Sequence, residues 1–187
     1  MADSLISLPI DCEATVIPAG DACTLPAGTD IELVQNLGGS LTVKSRGILY
    51  RIDGSQLQQL EPVLKEAWGV DIATASTPAV SEGEFSEQQL WDALSTCYDP
   101  EIPINIVDLG LVYDLSFQPA SENTYSVAVK MTLTAQGCGM GPVIADDARR
   151  KIEALASVES ATVEIVWDPP WTPHMISQEG RQRLGIA

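Results

Sequence analysis

One stretch constrains the fold of this chain more than any other: Met131-Thr132-Leu133-Thr134-Ala135-Gln136-Gly137-Cys138-Gly139-Met140-Gly141-Pro142. Before it, Tyr125, Val127, Val129, Met131 and Leu133 alternate with Ser126, Ala128, Lys130, Thr132 and Thr134, the period of a half-buried strand. After it, Ile144, Ala148, Ile152 and Leu155 recur at helical spacing. Pro142 suits a first helical turn, where a missing N–H is not needed. The chain must therefore pass from strand to helix through a glycine-rich turn that carries Cys138. The first turn of a helix has unpaired N–H donors and partial positive charge, which favours a thiolate there. Gly137, Gly139 and Gly141 let main chain approach a ligand closely. Cys138 thus reads as a metal-binding or nucleophilic thiol. The plainer alternative is a small hydrophobe that caps the turn.

The elements around this turn define an α/β domain over residues 85–187. Phe85-Ser86 followed by Gln89 is a capping box, with Phe85 and Leu90 placed for a hydrophobic staple. Leu90, Leu94 and Tyr98 form the buried stripe of that helix, and Cys97 at its end reads as core. Asp99-Pro100-Glu101-Ile102-Pro103 follows, where two prolines predict a stiff, extended loop that holds Asp99 and Glu101 in set directions. Leu111 to Phe117 alternates as a second strand, and polar residues 118–123 predict a hairpin loop to the strand before Cys138. Ala161 to Trp167 is a third strand. Strand, helix and strand make a βαβ unit with parallel strands and a right-handed crossover. Its carboxyl ends, where open α/β sheets bind ligands, carry Cys138 and Trp167-Asp168-Pro169-Pro170-Trp171. Thr172-Pro173 predicts the start of a C-terminal helical segment that Gly185 ends.

Residues 1–70 read as a separate β-rich unit. Strands are predicted at Thr15–Ile17, Asp30–Leu37, Leu41–Ser45 and Ile48–Ile52, with Gly38-Gly39 as a hairpin turn. A helix over Ser55–Ala67 carries Leu57, Leu60 and Leu64 on one face, and Pro62 predicts a kink or restart within it. Cys12 and Cys23 lack metal-ligand spacing and read as structural. Residues 71–84, rich in Ser, Thr, Ala and Pro, predict a linker. The fold class expected is α+β or α/β: a small β-rich N-terminal unit, then a compact domain of helix, antiparallel hairpin, βαβ unit and C-terminal helix around a mixed three-stranded sheet.

Composition narrows the function classes. A net charge of −16 over 187 residues argues against nucleic acid and anionic membranes as partners. No apolar run approaches membrane-spanning length and no signal peptide is evident, which predicts a cytoplasmic protein whose four cysteines are reduced thiols.

Asp99-Pro100-Glu101-Ile102-Pro103, Asp108-Leu109-Gly110-Leu111-Val112-Tyr113, Met131-Thr132-Leu133-Thr134 and Gly137-Cys138, in that order, resemble the iron–sulfur assembly family shared by SufT, PaaD and the eukaryotic cytosolic iron–sulfur targeting factor. The N-terminal unit and the Trp167-Asp168-Pro169-Pro170-Trp171 ending are most similar to the SufT type. The resemblance implies an accessory factor in iron–sulfur protein maturation, a cluster carrier or an adaptor between scaffold and client proteins, and not an enzyme. It implies Cys138, Asp99 and Glu101 as functional positions, with Thr134 beside them. Cys138 would be the cluster ligand, with Asp99 or Glu101 adding an oxygen. Where relatives place proline directly after the cysteine, this chain has Gly139-Met140-Gly141-Pro142. Clusters are commonly held by four thiolates, so one cysteine implies transient handling, a homodimer or a partner's ligands. Two other classes compete. One is an enzyme with Cys138 as nucleophile and His174, Asp99 or Glu101 as base. The other is a purely structural interaction module.

Overall fold

The computed structural model describes residues 5–69 and 85–186. The predicted linker over residues 71–84 lies outside the described residues. The chain divides into two compact units, Met1–Thr77 and Pro78–Ala187.

The first unit is a six-stranded sheet in the order β1-β4-β5-β6-β2-β3. Its strands are β1 (Ile6–Ser7), β2 (Cys12–Ile17), β3 (Ala22–Leu25), β4 (Asp30–Leu37), β5 (Ser40–Ser45) and β6 (Ile48–Ile52). Every pairing is antiparallel. Gly38 and Gly39 turn β4 into β5 with φ of 65° and 78°, as the hairpin signal requires. β1 and β3 are short pieces in a Pro- and Gly-rich region, and the alternation test overlooks them. Helix α1 (Gly54–Trp68) runs on through Pro62 as one element. It buries Leu57, Leu60 and Leu64 in a core that includes Ile31, Leu41, Val43 and Ile52. Full burial of each such side chain stabilises the unit by about 1.5–3 kcal/mol. Cys12 is buried in that core, where burial pushes its thiol up to about 11.

In the second unit, helix α2 (Glu87–Leu94) starts at Ser86, whose N–H donates to the Gln89 carboxamide at 3.2 Å. Phe85 stacks on Tyr125 at 3.8 Å and meets Phe117 edge-on at 4.9 Å, so it packs on sheet residues. The three-stranded sheet has the order β7-β8-β9. β7 (Val112–Ser121) and β8 (Thr124–Met131) pair antiparallel, and β8 and β9 (Val158–Ile165) pair parallel. Helix α3 (Gly141–Glu153) makes the crossover and buries Ile144, Ala148 and Ile152. Val127, Val129 and Met131 of the central strand are buried, while Ala128 and Lys130 are exposed.

The hairpin loop is shorter than the polar run over residues 118–123 predicts, because β7 continues through Pro119 to Ser121. β7 is an edge strand, where a residue without an N–H is tolerated. Asn123 then turns the chain with φ of 67°. The C-terminal segment also differs. Thr172 only precedes a single 3-10 turn, Pro173–Met175, and its side chain makes no capping hydrogen bond, whereas helix α4 (Gln178–Leu184) is capped by Ser177, whose hydroxyl accepts the Gly180 N–H at 2.9 Å.

Candidate functional site

The Cys138 turn leaves the end of β8 at Thr132 and enters α3 at Gly141. Gly137 adopts φ of 84°, a conformation that favours glycine. Cys138 is half-buried, and Thr134 is half-buried at the first bend. Two long main-chain hydrogen bonds shape the turn: Cys138 N–H to Ala135 O at 3.4 Å, and Gly141 N–H to Cys138 O at 3.4 Å. Cys138 stands two residues ahead of the helix N-cap, Met140. The Gly141 N–H is thus directed at the Cys138 carbonyl and Pro142 has no N–H. Much of the donor set that a helix start would offer a thiolate is used or missing. Gly141 is needed for packing, since a Cβ there would stand 2.7 Å from Leu133 Cδ1 and 3.0 Å from Ile165 Cδ1.

The Asp-Pro-Glu loop is not extended. It folds back on itself, with a bridge between Tyr98 and Asn105 at its base and the Ile106 N–H bonded to Cys97 O at 2.8 Å. The Asp99 carboxylate turns inward and accepts the N–H groups of Glu101 and Ile102, both at 2.8 Å. It is 7% exposed. Burial raises its pKa, and the two main-chain donors oppose that rise. Asp99 therefore shapes the loop, while Glu101 is exposed. Cys97 is buried and directs its sulfur at Ala93 O, 3.8 Å away.

His174 is exposed on the 3-10 turn, and its carbonyl oxygen accepts from the Arg181 guanidinium at 2.7 Å. Among the described residues no hydrogen bond joins its ring to Cys138. Among the same residues no group of three or more His, Cys, Asp and Glu side chains could hold a metal ion. Cys138, Asp99 and Glu101 thus do not form a ligand set of their own. No described helix is long and apolar enough to cross a membrane.

Sequence reasoning missed a polar cluster on Asp108. Its carboxylate accepts from Ser177 Oγ and Asn105 Nδ2, each at 2.8 Å. Beside it, the Trp171 indole N–H donates to Leu109 O at 2.8 Å and the Tyr113 hydroxyl donates to Pro169 O at 2.9 Å. The sequence signal was the motif pair itself, Asp108-Leu109-Gly110 and Trp167-Asp168-Pro169-Pro170-Trp171. Gly110, Tyr113, Lys130, Val166, Asp168 and Met175 help line an open groove of about 600 Å³ next to this cluster. Thr132, 1% exposed, has a buried hydroxyl with no hydrogen-bond partner among the described residues.

Comparison with known proteins locates the resemblance. The family model described as iron-sulfur cluster assembly protein matches residues 87–165. The Fe-S protein maturation auxiliary factor YitW of Bacillus subtilis is 36% identical over 103 residues, 55% of this chain and 97% of that protein. The Fe-S protein maturation auxiliary factor SufT of Staphylococcus aureus is 40% identical over 89 residues, 48% of this chain and 97% of that protein. A crystal structure of a domain of unknown function from Bacillus anthracis aligns with a TM-score of 0.48 at 35% identity, over 54% of this chain and 92% of that one. With nearly the whole length of such relatives matched at this identity, the chain belongs to the iron–sulfur cluster assembly protein family.

Proposed function

We propose that this protein is an accessory factor in the maturation of iron–sulfur proteins, acting as cluster carrier or as adaptor between scaffold and client. The reading assigns that work to residues 85–187, joined by a linker over residues 71–84 to the N-terminal unit of residues 1–70, and it places the protein in the cytoplasm. The observation that carries it is a half-buried thiol on a glycine-bent turn at the end of the central strand, within the residues that match the family. The cluster is cargo. Iron–sulfur clusters take mostly thiolate ligands, commonly four. Cys138 supplies one, so the remaining ligands come from a second copy of the chain, from a scaffold or from a client. Asp99 contributes by folding the loop that presents Glu101, and Glu101 offers an oxygen ligand or a polar contact to the partner. Thr134 shapes the bend through which the thiol is reached.

The test is Cys138→Ser in cells that depend on this protein. The expected result is lost activity of iron–sulfur clients with an unchanged urea unfolding midpoint for the purified variant. Full client activity in that variant would overturn the reading.

A further inference from the structure

The turn that carries Cys138 grows from the end of β8, and the main chain on both sides of that end is tied to one clasp. On one side the Thr132 N–H donates to Leu111 O at 2.8 Å. On the other the Val166 N–H donates to Met131 O at 2.8 Å. Leu111 directly follows the Asp108-Leu109-Gly110 turn. Val166 opens the C-terminal segment that continues through the 3-10 turn into α4.

These two flanking segments are fastened to each other. Ser177 binds Asp108 twice, through its hydroxyl to Oδ1 at 2.8 Å and through its N–H to the Asp108 carbonyl at 2.8 Å. Arg183 faces the other carboxylate oxygen at 3.5 Å, and Asn105 also donates to it. Trp171 spans to Leu109. Gly110, with φ of 69°, lies so close to Met175 that a Cβ would overlap its carbonyl oxygen and stand 2.9 Å from its Cβ. The contacts therefore close a ring: Asp108 turn, Leu111, end of β8, Val166, C-terminal segment, and back to Asp108.

We propose that Asp108 is a positioning residue for Cys138: by closing this ring it lets residues 166–186 set how openly the thiol is presented. The inference rests on the reading of Cys138 given above. The ring accounts for an aspartate, a buried leucine and a glycine in consecutive positions. The first clasps, the second anchors and the third permits close approach. It also gives Trp171 of the tryptophan and proline motif a structural task, through its indole hydrogen bond to Leu109 O. The clasp is made mainly of hydrogen bonds to partly exposed groups, the kind of contact that opens locally before a core does.

The experiment is alkylation by iodoacetamide at neutral pH on the full chain, with each cysteine quantified by peptide mass spectrometry. Loss of a hydrogen bond to a charged group shifts a local opening equilibrium by about tenfold. Cys138 in Asp108→Ala and in Gly110→Ala is expected to react roughly tenfold faster than in the wild type, an effect of that same local opening. Ser177→Ala gives a smaller change that Ser177→Thr reverses, since threonine restores the hydroxyl. Cys97 stays protected throughout, which separates a released clasp from a lost fold. Wild-type reactivity of Cys138 in both Asp108→Ala and Gly110→Ala would overturn the proposal, as would parallel labelling of Cys97. The assay involves neither iron nor client. A negative result therefore removes the clasp alone, whereas active clients with Cys138→Ser remove the functional reading on which the role of the clasp rests and leave the labelling result as it stands.

Discussion

The two loops that carry the candidate residues are built on opposite plans. The Asp99 loop is fixed by many short contacts. A buried carboxylate takes two main-chain N–H groups at 2.8 Å, the Ile104 N–H reaches Ile102 O at 2.6 Å, and a bridge closes the base. The Cys138 turn has glycine, exposed residues and two hydrogen bonds of 3.4 Å. The first plan uses side-chain chemistry to hold main chain in place. The second leaves main chain compliant and borrows order from the strand and helix that flank it. The proposed carrier or adaptor role would use both: one surface of fixed shape, and one thiol able to meet ligands of another molecule. Buried polar groups are costly to orphan, and glycine turns are easy to move.

The contrast breaks most readily at Asp99. Asp99→Ala leaves the Glu101 and Ile102 N–H groups without their acceptor in a part-buried loop. A buried orphaned donor costs about 1–3 kcal/mol and these two are part-buried, so a loss of roughly 2 kcal/mol is expected for the second unit. Urea unfolding followed by Trp91 and Trp171 fluorescence measures it. A loss below about 1 kcal/mol would mean that the carboxylate does not hold the loop.

Much of this fold was legible in the sequence and some of it could not be. Asp30–Leu37 and Ile48–Ile52, strand-like runs set off by glycine turns, are strands with those bounds. The βαβ unit followed from period alone. Pro119 obscured the end of β7 because nothing local tells an edge strand from a central one. Thr172-Pro173 resembled the cap of the last helix, yet Ser177 holds it, and Ser177 is chosen by Asp108, 69 residues away. The prolines of the loop after Tyr98 restrict φ but do not say where a carboxylate points. Asp99 turns inward, where two main-chain N–H groups within three residues offset part of the cost of its burial. Pairings of that range, and the ring around β8, are settled by packing and leave no periodic trace.

A middle-sized effect sharpens the contrast through pH. Burial raises the Asp99 pKa in the folded state, so over the range from the ordinary aspartate value up to the raised one the native protein binds more proton than the unfolded chain. Stability contributed at this site is therefore full below the ordinary value and is lost as pH rises through the raised one. Asp99→Asn retains an oxygen for both N–H groups and cannot ionise. The stability of the wild type relative to Asp99→Asn should fall as pH is raised across that window, then level off. Unfolding midpoints of the two proteins at several pH values give the difference. A difference that grows with pH would mean that the charged form is favoured in the loop, opposite to the effect of burial.

The smallest effect is expected at the thiol itself. Cys138 is half-buried, and no side-chain hydrogen bond to its sulfur is found among the described residues. Truncation of a partly exposed side chain away from caps and cores changes stability by no more than about 0.5 kcal/mol. Cys138→Ala should then unfold in urea at nearly the wild-type midpoint, against the large loss at Asp99→Ala. Cys97, the buried thiol of the same unit, supplies the control, since Cys97→Ser exchanges a fully buried sulfur for a smaller, more polar hydroxyl and should cost about 1–3 kcal/mol. If Cys138→Ala proved as damaging as Cys97→Ser, the sulfur would be a packing element of the turn. The division between a loop built to stay and a turn built to yield would then be lost.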